Sequence, residues 1–226
     1  MLAAMISDAH LNGLDDPNQG RLTALLDSFD APQVFLLGDL FQWWWGGRDL
    51  AFAEHRPVMD ALARLQGRGA AVHFVPGNHD FGAAPLFREL GIVVSDRIEV
   101  ELGGRRFVLI HGDEADRTLG YRLTRRLLRG PAYAGLMRLV GPARAQRIGL
   151  GLAGASYVGE PNASLIEAQV ALAVEELGAA DVVVMGHSHA PDVRALPGGT
   201  YVNLGDFLHQ HTWLSVGEDG LELRRA

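Results

Sequence analysis

The sequence predicts an α/β fold. Three observations carry that reading: short apolar runs that stop where polar clusters begin, helical spacing between them, and closely spaced strand patterns toward the carboxyl end. Residues 2–6, 34–37, 72–75 and 107–110 are apolar runs of strand length, each giving way to polar residues, and read as buried strands. Between the first three, residues 21–29 and 48–65 have the spacing and length of helices. A strand-helix-strand-helix-strand opening implies a partly parallel sheet. Residues 162–177 read as a longer amphipathic helix. Residues 181–185, 193–196, 200–204, 212–216 and 220–224 then follow closely around turn signals such as Pro197-Gly198-Gly199, so this half is expected to be antiparallel.

A length of 226 residues with 48% hydrophobic and 21% charged composition suits a single domain with a sizeable core and excludes global disorder. No apolar run approaches the roughly 20 residues of a spanning helix, and residues 1–6 are too short and uncharged for a secretory signal, so a cytoplasmic location is expected. The absence of Cys excludes disulfides, thiolate zinc and thiol nucleophiles. Any metal or acid/base chemistry falls to His, Asp, Glu and Asn.

Charge is unevenly distributed. Residues 117–159 contain eight Arg and no acidic residue, so within a net charge of −7 the remainder carries −15. One basic segment in an acidic body points to a local anionic partner, a phosphorylated substrate or an anionic lipid, and carries no nucleic-acid-binding signature. Gly130-Pro131 and Gly141-Pro142 punctuate this stretch into two or three short helices. Residues 115–160 are therefore read as a helical insertion in one domain spanning 1–226, either a lid over the core or simply packed structural helices.

Five polar islands directly follow strand runs: Asp8-Ala9-His10, Gly38-Asp39, Gly77-Asn78-His79-Asp80, His111-Gly112-Asp113 and Gly186-His187-Ser188-His189. Any one His here reads equally well as an ordinary core or surface residue. Five strand ends carrying only oxygen and imidazole donors have a simpler common cause in a shared metal site. Asp8, His10, Asp39, Asn78, His111, His187 and His189 are too many donors for one ion and enough for two if a carboxylate bridges with one oxygen toward each. Asp39 is the natural bridge. The donor types favour Mn²⁺, Fe²⁺, Co²⁺ or Zn²⁺ over a calcium cage.

With these islands in this order the sequence resembles the calcineurin-like metallophosphoesterases. The resemblance implies two mixed β-sheets sandwiched between helices and two divalent metal ions, Mn²⁺ foremost. It implies that Asp8, His10 and His189 bind the first ion, that Asn78, His111 and His187 bind the second, and that Asp39 bridges both. Two ions, two aspartates and a bridging hydroxide leave a net charge of about +1, which attracts phosphate while keeping a nucleophile. The expected reaction is phosphoester or pyrophosphate hydrolysis by attack of that hydroxide. His79 is the candidate general acid at the leaving oxygen. Asp80 either fixes the His79 tautomer or caps the following turn, and Asp113 is ambiguous in the same way.

A closer similarity is to the UDP-2,3-diacylglucosamine pyrophosphatases of lipid A biosynthesis, which yield lipid X and UMP. Gly38-Asp39-Leu40-Phe41 with Trp44 and Gly46 is similar to their second island, and Asp116 through Gly120-Tyr121-Arg122 to the start of their insertion. Two positions depart: His79 stands where that family has Arg, and Gln42 where an acidic residue is common. An Arg stabilises a departing phosphate, whereas an alkoxide leaving group benefits from an acid, so an ordinary phosphomonoester or phosphodiester, or a soluble nucleotide pyrophosphate, stays open. A scaffold of the same fold without chemistry is a further alternative.

The resemblance makes Asn78, His79, Tyr121, Arg122 and Arg125 candidate substrate contacts. Leu119, Leu123, Leu127, Leu128, Leu136, Met137, Leu139 and Val140 interleave with arginines. Such a pattern holds acyl chains against a basic rim, lies peripherally on the anionic inner face of a membrane, or packs on its own protein. At least one of Trp43, Trp44 and Trp45 faces the cleft, or all three pack structurally. His209 and His211 are either substrate contacts or surface residues.

Overall fold

The computed structural model describes residues 1–45, 48–153 and 162–226. Six strands form one sheet in the order β11-β10-β1-β2-β3-β4: β1 (Ala3–Ile6), β2 (Gln33–Leu36), β3 (Ala71–Phe74), β4 (Val93–Val94), β10 (Thr212–Gly217) and β11 (Gly220–Arg225). Five form the other in the order β5-β6-β7-β9-β8: β5 (Ile98–Leu102), β6 (Arg105–Leu109), β7 (Val182–Met185), β8 (Asp192–Leu196) and β9 (Gly199–Asn203). The central strands are apolar on both faces because both faces are covered. Ala3, Met5, Phe35 and Leu37 meet Phe107, Leu109, Val182 and Val184 between the sheets. The alternate residues Ala4, Ile6, Val34 and Leu36 face the helices α1 (Pro17–Ser28) and α3 (Arg56–Gly67). Behind the second sheet, Val183 and Met185 pack against Leu172 and Ala173 of α8 (Ala163–Glu176).

β1, β2 and β3 are mutually parallel, as the opening pattern implies. The antiparallel expectation for the last strands holds at β8-β9 and β10-β11 and fails at β7, which is parallel to both β6 and β9. The helix α8 is the reason: a crossover between β6 and β7 returns the chain in the same direction.

Two helix boundaries also differ. α1 begins at Pro17 rather than Arg21, because Asp16 caps it by accepting the Asn18 N–H at 2.8 Å with Pro17 at the first helical position. The single helix expected over 48–65 is two, α2 (Arg48–Glu54) and α3, divided at His55. Pro57 accounts for the division, since it suits a first turn and lacks the N–H an unbroken helix would use. α4 (Ala84–Glu89), β4 and β5 were not anticipated.

The basic segment forms three helices, α5 (Leu119–Leu128), α6 (Pro131–Val140) and α7 (Pro142–Ala153), separated at the two Gly-Pro steps. The end of the expected insertion, residues 154–160, lies outside the described residues, as does Gly46.

Candidate metal centre

Each island leaves the carboxyl end of a strand: Asp8 and His10 after β1, Asp39 after β2, Asn78 after β3, His111 after β6, and His187 and His189 after β7. Parallel pairing puts these ends on one edge of each sheet, and the stacking of the sheets brings the edges together. Backbone pairing continues past β1 and β2 into the loops: the amides of Asp8, His10 and Leu11 donate to the carbonyls of Gly38, Asp39 and Leu40 at 3.0, 2.9 and 2.9 Å.

Among the described residues, six non-glycine residues have positive φ: Asp8 (54°), His10 (45°), Asp39 (52°), His187 (67°), His189 (55°) and His211 (54°). Five of them are residues singled out as metal donors. The left-handed conformation costs on the order of 1–3 kcal/mol at each and is held by surrounding structure. Two glycines permit the close approach. At Gly77 a side chain would strike Asp39 Oδ1, and at Gly186 one would strike Asp8 Oδ2.

Three donor groups result, each offering atoms within 4.8 Å of one another: Asp8 with His10 and His189, Asp39 with His111 and His187, and His10 with Asp39 and His79. In the first, Asp8 Oδ1 lies 3.3 Å from His189 Nε2 and 3.9 Å from His10 Nε2. Asp8 is fully buried, and Oδ1 has no conventional hydrogen-bond partner, although Oδ2 accepts the His187 N–H at 2.9 Å. In the second, His111 Nε2 lies 3.4 Å from Asp39 Oδ2 and 3.2 Å from Asn78 Oδ1. A buried carboxylate oxygen turned toward imidazole nitrogens is a donor arrangement that fits a divalent cation, and Asp39 belongs to both the second and the third group while His10 links the third to the first.

Asp39 differs from expectation in one respect. Its Oδ1 accepts the His79 backbone N–H at 2.8 Å, so Oδ2 alone faces both groups, 3.8 Å from His10 Nε2 and 3.4 Å from His111 Nε2. Asp80 does not touch the His79 ring. It accepts the backbone N–H groups of Leu40 at 2.7 Å and Gly77 at 2.9 Å, and burial raises its pKa to about 6. The partner of His79 is the Gln42 carbonyl, 2.7 Å from Nδ1, which leaves Nε2 as the free ring nitrogen.

Asp113 is an anchor for α5. It accepts the Tyr121 hydroxyl at 2.7 Å and Arg125 Nε at 2.7 Å, while Arg125 Nη2 reaches Glu114 at 3.0 Å. Burial works against its charge, and His111 and Arg125 outweigh burial to bring the carboxyl down to about 2. Arg122 is exposed and lies with Arg125, Arg126 and Arg129 around an open 500 Å³ cavity.

Gln146 of α7, which carried no sequence signal, binds the turn after Phe41. Its Oε1 accepts the Trp45 N–H at 2.8 Å and its Nε2 donates to the Trp43 carbonyl at 2.6 Å. Trp44 is core, packed on Phe41 and His55 with ring centroids 4.6 and 5.7 Å away. Trp43 lines a 340 Å³ cavity with Asn78, His79, Tyr121, Arg125 and Arg129. His211 donates to Asn18 of α1 at 3.1 Å, and the His209 N–H is bound to Asp206.

Proton competition follows from the imidazoles. Burial depresses His10 and His187 to about 4, so both are neutral donors at pH 7. For His111 and His189 burial acts in the same sense, but Asp39 and Asp8 respectively outweigh it and raise both above the ordinary histidine value. A raised pKa keeps a proton on Nε2 that a cation must displace. Titrating metal-free protein with Mn²⁺ at pH 7, in buffers of different ionisation heat, is expected to show proton release and an affinity that rises with pH. A heat independent of buffer would count against this.

The calcineurin-like phosphoesterase family model matches residues 1–191. UDP-2,3-diacylglucosamine hydrolase of Pseudomonas putida is 30% identical over 236 aligned positions, covering 97% of this chain and 96% of its own length. The proteins of that name from Xanthomonas campestris pv. campestris and Aeromonas salmonicida are 30% and 31% identical, covering 100% and 99% of this chain and 99% and 94% of their own lengths. Among solved structures, an archaeal phosphodiesterase has a TM-score of 0.52 at 14% identity over 99% of both chains. Vps29 of Chaetomium thermophilum has 0.50 at 14%, over 99% of this chain and 88% of its own. These two likenesses concern the fold. With the family model covering most of its length, the chain belongs to the calcineurin-like phosphoesterases and is a metal-dependent hydrolase of phosphoester or diphosphate bonds.

Proposed function

We propose that the chain cleaves the diphosphate of a nucleotide-linked acylated sugar, UDP-2,3-diacylglucosamine, to lipid X and UMP. The observation that carries this reading is the 340 Å³ cavity beside Asn78 and His79, walled by Trp43, Phe81, Tyr121, Leu128 and Tyr133 and bearing Arg125 and Arg129. An aromatic and aliphatic wall next to two guanidinium groups suits an amphiphile with an anionic head. Arg125 and Arg129 are paired with Asp113, Glu114 and Asp96, so the charge that answers the departure at His79 comes from Arg122 and Arg126 at the rim beside them. The relatives' name agrees with this substrate.

In this reading Asp8, His10 and His189 hold one cation, Asn78, His111 and His187 the other, and Asp39 is shared. Mn²⁺ is the first candidate, with Fe²⁺, Co²⁺ and Zn²⁺ as alternatives. Ions held there supply Lewis acidity and a water of lowered pKa. The protein's own groups do the remainder. His79, its Nδ1–H donated to the Gln42 carbonyl, presents Nε2 to the leaving oxygen and gives it a proton from the doubly protonated ring, leaving the neutral Nδ1–H tautomer. Asp80 keeps the loop before Asn78 in place, and Tyr121 and Arg125, both fixed on Asp113, orient the substrate with Arg122 at the rim.

The enzyme loaded with Mn²⁺ is expected to turn over UDP-2,3-diacylglucosamine with kcat/KM at least about a hundredfold above that for bis(p-nitrophenyl) phosphate and p-nitrophenyl phosphate. Equal or faster cleavage of the small esters would favour the soluble phosphodiester or phosphomonoester reading. Bound ions with no turnover of any substrate would favour a scaffold. His79→Asn should lower kcat by about 10²–10⁴ with ion content unchanged. A proportional loss of ions would reassign His79 as a ligand, which its place beside His10 and Asp39 makes a concrete alternative.

We further propose that residues 115–160 act as a lid of a single domain and rest peripherally on the anionic inner face of the membrane. Leu119, Leu123 and Leu127 lie on one exposed stripe of α5, 72%, 58% and 64% accessible, beside Arg122. Among the described residues no helix is long and apolar enough to cross a membrane. Phosphatidylglycerol vesicles should co-sediment the protein, and Leu123→Glu with Leu127→Glu should abolish this; retention by the double variant would refute contact through α5.

A further inference from the structure

The arginines of α5 are not equivalent. Arg122 and Arg126 have no carboxylate within 4.0 Å among the described residues, and Arg125 is committed to Asp113 and Glu114. Arg129, at the end of the helix, is largely buried and reaches into the core of the site. Its Nη2 donates to the carbonyls of Gly77 at 3.2 Å and Pro76 at 3.4 Å, and lies 3.7 Å from Asp113 Oδ2. Its Nη1 meets Asp96 at 3.3 Å. One guanidinium therefore spans the loop after β3, the loop after β6 and the segment joining β4 to β5.

The first two of those loops carry Asn78 and His111, whose side chains meet at 3.2 Å on the far side. After Asn78 the backbone is held at His79, whose N–H is donated to Asp39 and whose carbonyl accepts the Trp44 N–H, and before Asn78 it is held differently. Pro76 has no N–H to anchor, and Gly77 has no side chain to pack, a requirement of its contact with Asp39. Hydrogen bonds must orient it: Asp80 takes the Gly77 N–H, and Arg129 takes the Gly77 and Pro76 carbonyls. The rigid fork of an Arg can serve several acceptors at once, which a Lys ammonium on a single flexible stem does less well.

We infer that Arg129 is a positioning residue that holds Asn78 in register with His111, so that the insertion helps to build the second half of the metal centre as well as forming its rim. The inference rests on the two-ion reading above and on no assumption about substrate. It separates by sign from a simple charge effect. Removing a cation near a metal site strengthens cation binding on Coulombic grounds, whereas loosening the Asn78 loop weakens it.

The test is Mn²⁺ binding to the full chain by equilibrium dialysis, with electron paramagnetic resonance reading the exchange-coupled pair. Wild type is expected to hold two ions with a coupled signal. Arg129→Gln, and Arg129→Lys which keeps the charge, should bind the second ion about tenfold or more weakly and lose most of the coupled signal. Arg126→Gln, one turn earlier with the same loss of charge, should bind both ions at least as tightly as wild type. Thermal unfolding of the metal-free forms reports whether each variant is folded, and Arg129→Lys supplies the answer if Arg129→Gln is not. Unchanged or tighter binding by folded Arg129 variants would overturn the inference alone, as would equal weakening by Arg126→Gln. Fewer than two ions on wild type would overturn the two-ion reading and the inference together.

Discussion

Parallel strands end at the same edge of their sheet, and the placement of every polar group described above depends on that constraint. β1, β2 and β3 run together in one sheet and β6 and β7 in the other, so five loops widely separated in sequence open at neighbouring points. Had neighbours been antiparallel, alternate islands would sit at opposite ends of strands about 13 Å long, beyond the reach of a shared ion. The apolar content of these strands answers to the same architecture. Helices on one face and the second sheet on the other leave no face to water, and core burial of both faces sustains left-handed backbone at five polar residues.

The legible part of this structure was local. Short runs ending in Asp, Asn or His announced buried strands with functional ends, and the two Gly-Pro steps announced where the insertion's helices break. The division at His55 was legible too, in Pro57, but apolar spacing on both sides masked it. What stayed hidden depends on which distant segments meet. Nothing in the order of β6, α8 and β7 distinguishes a parallel return from a hairpin until the crossover helix is recognised as packing behind the sheet.

The candidate donor residues were visible in the sequence, but their geometry was not. Asp39 has two chemically equal oxygens in the sequence, and only the His79 amide, folded back over it, separates one from the other. Asp80 is read naturally as a partner for its neighbour His79, yet the turn directs it to two backbone amides instead. Gln146 had no pattern to mark it, and Arg129 stood out only as one of the arginines interleaved with leucines, because what either binds shows only in the backbone groups it meets.

The polar residues at the centre come from opposite halves of the sandwich: Asp8, His10 and Asp39 leave the first sheet, and His111, His187 and His189 leave the second. An ion gripped between them would therefore be a cross-link as well as a reagent, a bolt through two plates that are also joined by apolar contact and by hydrogen bonds of His187 to Asp8 and of His111 to the Leu37 carbonyl. Chelation would then do more than silence chemistry: it would remove one tie between halves that still share an apolar core, so the temperature of unfolding would become a gauge of occupancy.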